Sequence, residues 1–174
     1  MKKSIVSNLG MLGVGAFLCY TSFSFAEDLT GSANFNVTAV VSGDVGVISA
    51  GGGPLQDMEM VYVPGVGLEK SVQLIQFTSN NPKETDKIKV TLPVGAKLTN
   101  PSEPSDEVPL TVTIGGVEVT TSGVDMNSIV IDDSTHKSQQ MELAVACSDV
   151  CDSLVAGTYT GSVVLQLDQP LTTL

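Results

Sequence analysis

The chain has 174 residues, with nineteen acidic side chains against eight lysines and no arginine, for a formal net charge of −11 with one histidine. Acidity on this scale argues against a protein that grips phosphate backbones or an anionic lipid face, because both repel it. It otherwise bears on solubility and not on any particular partner.

Residues 1–26 read as a secretory signal peptide. Lys2 and Lys3 give a positive start, Leu9 to Tyr20 an apolar run, and Ser24-Phe25-Ala26 small residues at the two positions a signal peptidase reads. The apolar run is too short, and too rich in Gly, for a comfortable membrane span. Export leaves two cysteines, Cys147 and Cys151, in the mature chain. In an oxidising compartment a pair this close is most simply a disulfide. The rival, half a metal site, lacks a second Cys or His pair to complete it. A loop this short contributes only about 2 kcal/mol in the chain-entropy account, so the bridge trims a loop without creating the fold.

The stretch Leu29 to Val41 alternates. Leu29, Gly31, Ala33, Phe35, Val37, Ala39 and Val41 are apolar or small, and Thr30, Ser32, Asn34, Asn36 and Thr38 between them are polar. Side chains alternate across a strand, so this is a ribbon with one apolar and one wet face. Gly43-Asp44 breaks it. Such a strand can pair inside its own domain or reach into another molecule.

Strands then recur. Val45 to Ile48 is short and apolar and ends at Gly51-Gly52-Gly53-Pro54. Met58 to Val63 places Met58, Met60 and Tyr62 on one side and ends at Pro64-Gly65. Val72 to Phe77 is dense enough to predict a strand covered on both faces. Asn80-Asn81-Pro82 turns the chain, and Ile88, Val90 and Leu92 alternate with Lys87, Lys89 and Thr91. Three prolines and three acids make Asn100 to Pro109 a surface loop by composition. Thr111 to Thr120 is a hairpin about Gly115-Gly116, a pair suited to the positive backbone angles of a two-residue turn. That turn sets Ile114 opposite Val117 and Val112 opposite Val119, with Thr113 and Glu118 on the other face. Ile129 to Ile131 and Met141 to Ala146 read as strands, and Tyr159 to Leu167 as the last, closed by Pro170. No window outside the signal has sustained helical spacing, and the turns fall at regular intervals. The reading is an all-β sandwich with a core of Val, Leu and Ile.

Chemistry is sparse. His136, beside Asp132 and Asp133, has no geometric partners for acid–base work and reads as a solvated loop residue. No serine sits in a nucleophile elbow. Asp125, Asn127, Asp132 and Asp133 match no calcium-loop spacing. Asn36-Val37-Thr38 is formally a glycosylation sequon, but it lies inside the alternating strand, where a glycan would block pairing. Neither an enzyme nor a metal or other cofactor is indicated.

Asn34-Phe35-Asn36-Val37-Thr38-Ala39-Val40-Val41 resembles the N-terminal segment of the alpha-fimbrial major pilins, of the colonization factor antigen I type built by the alternate chaperone–usher route. Leu110 to Val119 is similar to their mid-chain hairpin, and Gln139 to Ala146 to the strand before their last loop. Ala156 to Leu165 is similar to their closing strand. The similarity runs in order over essentially the whole mature chain, and the Cys147–Cys151 pair stands outside it.

The resemblance implies an incomplete Ig-like β-sandwich pilin completed by donor-strand exchange. It implies a donor-strand extension at 27–42 and a pilin domain at 43–174, with Phe35, Val37, Ala39 and Val41 entering a neighbour's groove. It further implies identical subunits, a periplasmic chaperone, an outer-membrane usher and a tip adhesin as partners. The chain would cross the periplasm to a surface fimbria that supports adhesion to host cells. Tip adhesins are larger, two-domain and cationic at the receptor site, so a single arginine-free domain fits the shaft. The alternative is a monomeric exported Ig-like module that binds sugar or protein, with Leu29 to Val41 as its own first strand; polymerisation separates the two.

Cleavage after Ala26 predicts that the exported protein begins at Glu27. Intact-mass measurement checks this, and a mature chain still carrying Leu9 to Tyr20 would contradict it.

Overall fold

The computed structural model describes residues 32–42, 45–80, 88–149 and 151–169, with no side-chain description at 40–42. The signal segment, residues 27–31 with the first residues of the alternating stretch, the Gly43-Asp44 break, the Asn81-Pro82 turn, Lys87 and Pro170 lie outside the described residues. Twelve strands and no helix are present among them.

The central strand of the first layer is β12 (Tyr159–Asp168), whose Tyr159, Val163, Leu165 and Leu167 point inward. On one side it pairs antiparallel with β7 (Lys97–Asn100) and β6 (Lys89–Thr91), and β6 carries β10 (Val124–Asp125). On its other side lies β1 (Ser32–Ser42), which also pairs with β3 (Met58–Val63), followed by β4 (Gly67–Leu68). The second layer is β2 (Val45–Ser49), β5 (Ser71–Ser79), β11 (Met141–Cys147), β8 (Glu103–Ile114) and β9 (Val117–Val119), in that order. The layers meet through β8, whose first half pairs with β7 and whose second half pairs with β11 and β9.

Between the layers the alternating inward residues form one core. Phe35, Met60, Leu98 and Leu165 from the first layer meet Ile75, Phe77, Ile114 and Leu143 from the second, all close to fully buried. Large apolar side chains removed from water this completely contribute about 1.5–3 kcal/mol each on the transfer scale.

The hairpin has the register that its turn chemistry dictates: Ile114 faces Val117, Thr113 faces Glu118 and Val112 faces Val119. Gly115 and Gly116 both have positive φ, 57° and 81°, which a side chain would oppose.

Three expectations are corrected. The segment 100–109 is not a loop, because β7 ends at Asn100 and β8 begins at Glu103. Its prolines are tolerated locally: Leu110 N donates to Ala96 O on the β7 side. Pro109 needs no N–H of its own, since β11 ends at Cys147, opposite Leu110, and Ser148 N donates to Pro109 O. Second, β5 is covered on one face only, leaving Val72 45% and Leu74 51% exposed. No third layer lies over that face among the described residues. Third, Ile129 to Ile131 forms no strand. Ile129 and Ile131 are buried as anchors of an irregular segment held by a single bridge from Ile131 to Ser138.

β12 is tightly flanked at Gly161, opposite Leu98 on β7 and Phe35 on β1. A Cβ there would run into the Lys97 carbonyl oxygen and lie 3.1 Å from Leu98 Cδ2. Gly161→Ala should therefore push β7 off β12 and cost about 1–3 kcal/mol, the usual scale of overpacking. Thermal or denaturant unfolding checks this, and an unchanged midpoint would contradict it.

Candidate functional site: the groove between β12 and β3

β1 is the alternating stretch from Ser32 onward, and the structure seats it in its own domain. It runs parallel to β12 in continuous register from Ala33 opposite Tyr159 to Ser42 opposite Asp168. In a parallel pair, partners share a face, so Ala33, Phe35, Val37 and Ala39 point inward with Tyr159, Val163 and Leu165. Ala33 is 0%, Phe35 1% and Val37 7% exposed, whereas Ala39 is half-buried. Val41 pairs with Leu167 through the backbone, and its side chain is outside the described part. Asn34, Asn36 and Thr38 face out, and Asn36 Nδ2 donates to Asp57 Oδ1 at 3.0 Å. That contact gives the sequon asparagine a structural partner.

The two halves of β1 are held differently. Ser32 to Phe35 lies between β12 and β3, with Ala33 opposite Met60 and Phe35 opposite Met58, both methionines buried. Beyond Phe35, β12 is the only paired strand among the described residues.

The β3–β4 ribbon forms a lip over the first half and is braced from behind. Tyr62 Oη donates to Asp152 O at 2.7 Å. Gly67, at φ 100°, lies so close to the Cys151 carbonyl that a Cβ could not fit. Cys147 and Cys151 are joined by a disulfide, and Cys151 is buried. The bridge thus holds the loop against which the lip rests, a placement that sequence spacing does not reveal.

Opposite Ala33 stands the buried Tyr159. Its hydroxyl donates to Asp106 Oδ2, with Val155 O a second acceptor at 3.0 Å sharing the same proton. Burial, then the hydrogen bond and charge of Asp106, push the phenol up, so it stays a donor. Apolar side chains otherwise line the groove, which suits a strand and offers no reacting group.

The remaining candidates are structural. Asp132 accepts hydrogen bonds from Ser134 Oγ, from the backbone N–H groups of Thr135 and Ser134, and from Thr135 Oγ1; together they hold its carboxyl at about 2. His136 is exposed and has φ 57°. Its Nδ1 lies 3.1 Å from Ser79 O, while Ser79 N donates to its carbonyl. Asp132 closes a turn, and His136 fastens that turn to β5. Among the described residues no three His, Cys, Asp or Glu side chains gather as a metal site.

Sequence reasoning placed Phe35, Val37, Ala39 and Val41 at the site. It missed Ala33, more deeply buried than Ala39, together with the β3 methionines and Tyr159. The even spacing of Ala33 from Phe35 was a signal for the first; the others depend on long-range pairing.

The family model for the CS1 type fimbrial major subunit matches residues 32–168, β1 to β12. The chain therefore belongs to that family and is a structural subunit of a surface fimbria, in which subunits polymerise. No curated protein matches it. Among solved structures it is similar to the CooA pilin subunit from enterotoxigenic Escherichia coli, with TM-score 0.54 and 18% identity, covering 73% of this chain and 99% of that one. The likeness identifies the fold as that of a pilin subunit, an all-β Ig-like sandwich.

Proposed function

We propose that this chain is the major shaft subunit of its fimbria and polymerises by donor-strand exchange. In this reading residues 27–42 are the donor extension and 43–174 the pilin domain. Phe35, Val37, Ala39 and Val41, with Ala33, fill the groove of the next subunit. The role is structural and not catalytic, and the fibre supports adhesion to host cells. The subunit crosses the periplasm with a chaperone, leaves through an outer-membrane usher and stands behind a tip adhesin.

The observation that carries this reading is the construction of β1: an alternating strand whose inward face is wholly apolar, joined to β2 by Gly43-Asp44 alone. Removing it leaves a groove along β12 lined by Met58, Met60, Val163 and Leu165. An open groove of this kind is an aggregation edge, so each domain requires a strand there. An identical chain can supply one.

The self-seated β1 also favours a second reading, the monomeric exported binding module. Polymer formation separates them. Wild-type protein should give a ladder of multimers on an unheated denaturing gel, collapsing on boiling. Val37→Asp should abolish the ladder, since it places an unpaired carboxylate among apolar groups. Thr38→Asp, on the wet face, should keep it. Because Val37 is buried in the single chain too, the variant is also given a wild-type peptide of residues 32–42. Recovery of the fold without the ladder is the expected result. A stable wild-type monomer with no ladder would leave the binding module in place.

A further inference from the structure

The polymer reading requires β1 to serve another molecule, yet here it fills its own groove. We propose that this is the resting state of the free subunit: β1 is an internal plug that keeps the groove covered and blocks polymerisation until it is displaced. The proposal rests on the polymer reading and concerns what precedes assembly.

Three observations support a plug that is both effective and removable. It is effective because the parallel register with β12 is unbroken over ten residue pairs and Ala33, Phe35 and Val37 are buried. The apolar groove and the β12 edge are therefore covered, and the free subunit shows neither.

It is removable because it is unevenly held. Only Ser32 to Phe35 sits under the β3 lip; from Asn36 to Ser42 the strand has β12 on one edge and no paired strand on the other among the described residues. Backbone groups on that open edge are where a strand from a second copy can begin to pair.

Its direction, finally, is imposed. β1 ends at Ser42 and β2 begins at Val45 in the opposite layer, so two residues must bridge the layers. That tether fixes which end of β1 lies near β2 and leaves it parallel to β12. Parallel ladders are slightly weaker per residue than antiparallel ones. A strand delivered by another molecule carries no such tether and is free to enter in either direction.

A cross-link between β1 and β12 tests this in the full-length exported subunit. Thr38 and Val164 are register partners on the outer face. In Thr38→Cys/Val164→Cys, freshly purified monomer should form the new disulfide within one chain. The linked subunit should give no multimer ladder until it is reduced. Thr38→Cys/Thr160→Cys, out of register, should not link within the chain. Wild-type protein given the same reductant controls for the Cys147–Cys151 bridge. Free thiols, or links only between chains, would overturn the plug. So would linked monomers that build the ladder as fast as wild type. Wild-type protein that never forms a ladder would overturn the polymer reading and the blocking role with it, while the cross-link would still report where β1 sits.

Discussion

The structure depends on one requirement: β12 must have a strand on the side facing β3. β12 supplies Tyr159, Val163, Leu165 and Leu167 to the core, and its other side is taken by β7 and β6. Without β1, a row of backbone donors and acceptors and a line of apolar side chains face water together. Phe35 and Val37 each contribute about 1.5–3 kcal/mol by burial. Backbone pairing adds about 0.5–1.5 kcal/mol net per bond. Those contributions are large beside a domain stability of about 5–15 kcal/mol. Occupancy of the groove is thus a condition of stability, and on the proposed donor-strand reading the chain that supplies the strand decides between monomer and polymer.

The elements around the groove follow from that requirement. The lip of β3 and β4 secures one half of the inserted strand and is itself braced by Tyr62 on Asp152 and by Gly67 on Cys151. The Cys147–Cys151 bridge, modest as a cross-link, steadies the loop behind the lip. Tyr159, tied to Asp106 and Val155, is buried opposite Ala33. The fit rests on the inward face of β1, since Asn34, Asn36 and Thr38 on the wet face stay exposed.

Local rules made part of this legible. The Gly115-Gly116 hairpin could be read to its register because turn geometry and face pattern are both set within ten residues. The alternation of 29–41 and of 159–167 identified β1 and β12 for the same reason. What failed was non-local. The prolines of 100–109 suggested a loop because composition does not show that Pro109 lies where β11 ends. Val72 and Leu74 suggested a strand covered on both faces, but no described element lies over them. Ile129 and Ile131 are buried without being paired as a strand, since burial of alternate residues does not itself require a ladder. The choice of β12 as parallel partner of β1, across more than a hundred residues of sequence, is written in no local pattern.

The most direct measurement is a reconstruction of fibres formed by this chain, at a resolution that traces the backbone from β1 through residues 43–44 into β2. The strand beside Tyr159–Asp168 is expected to belong to a neighbouring subunit. Fibres in which every β1 lies beside its own β12 would contradict it.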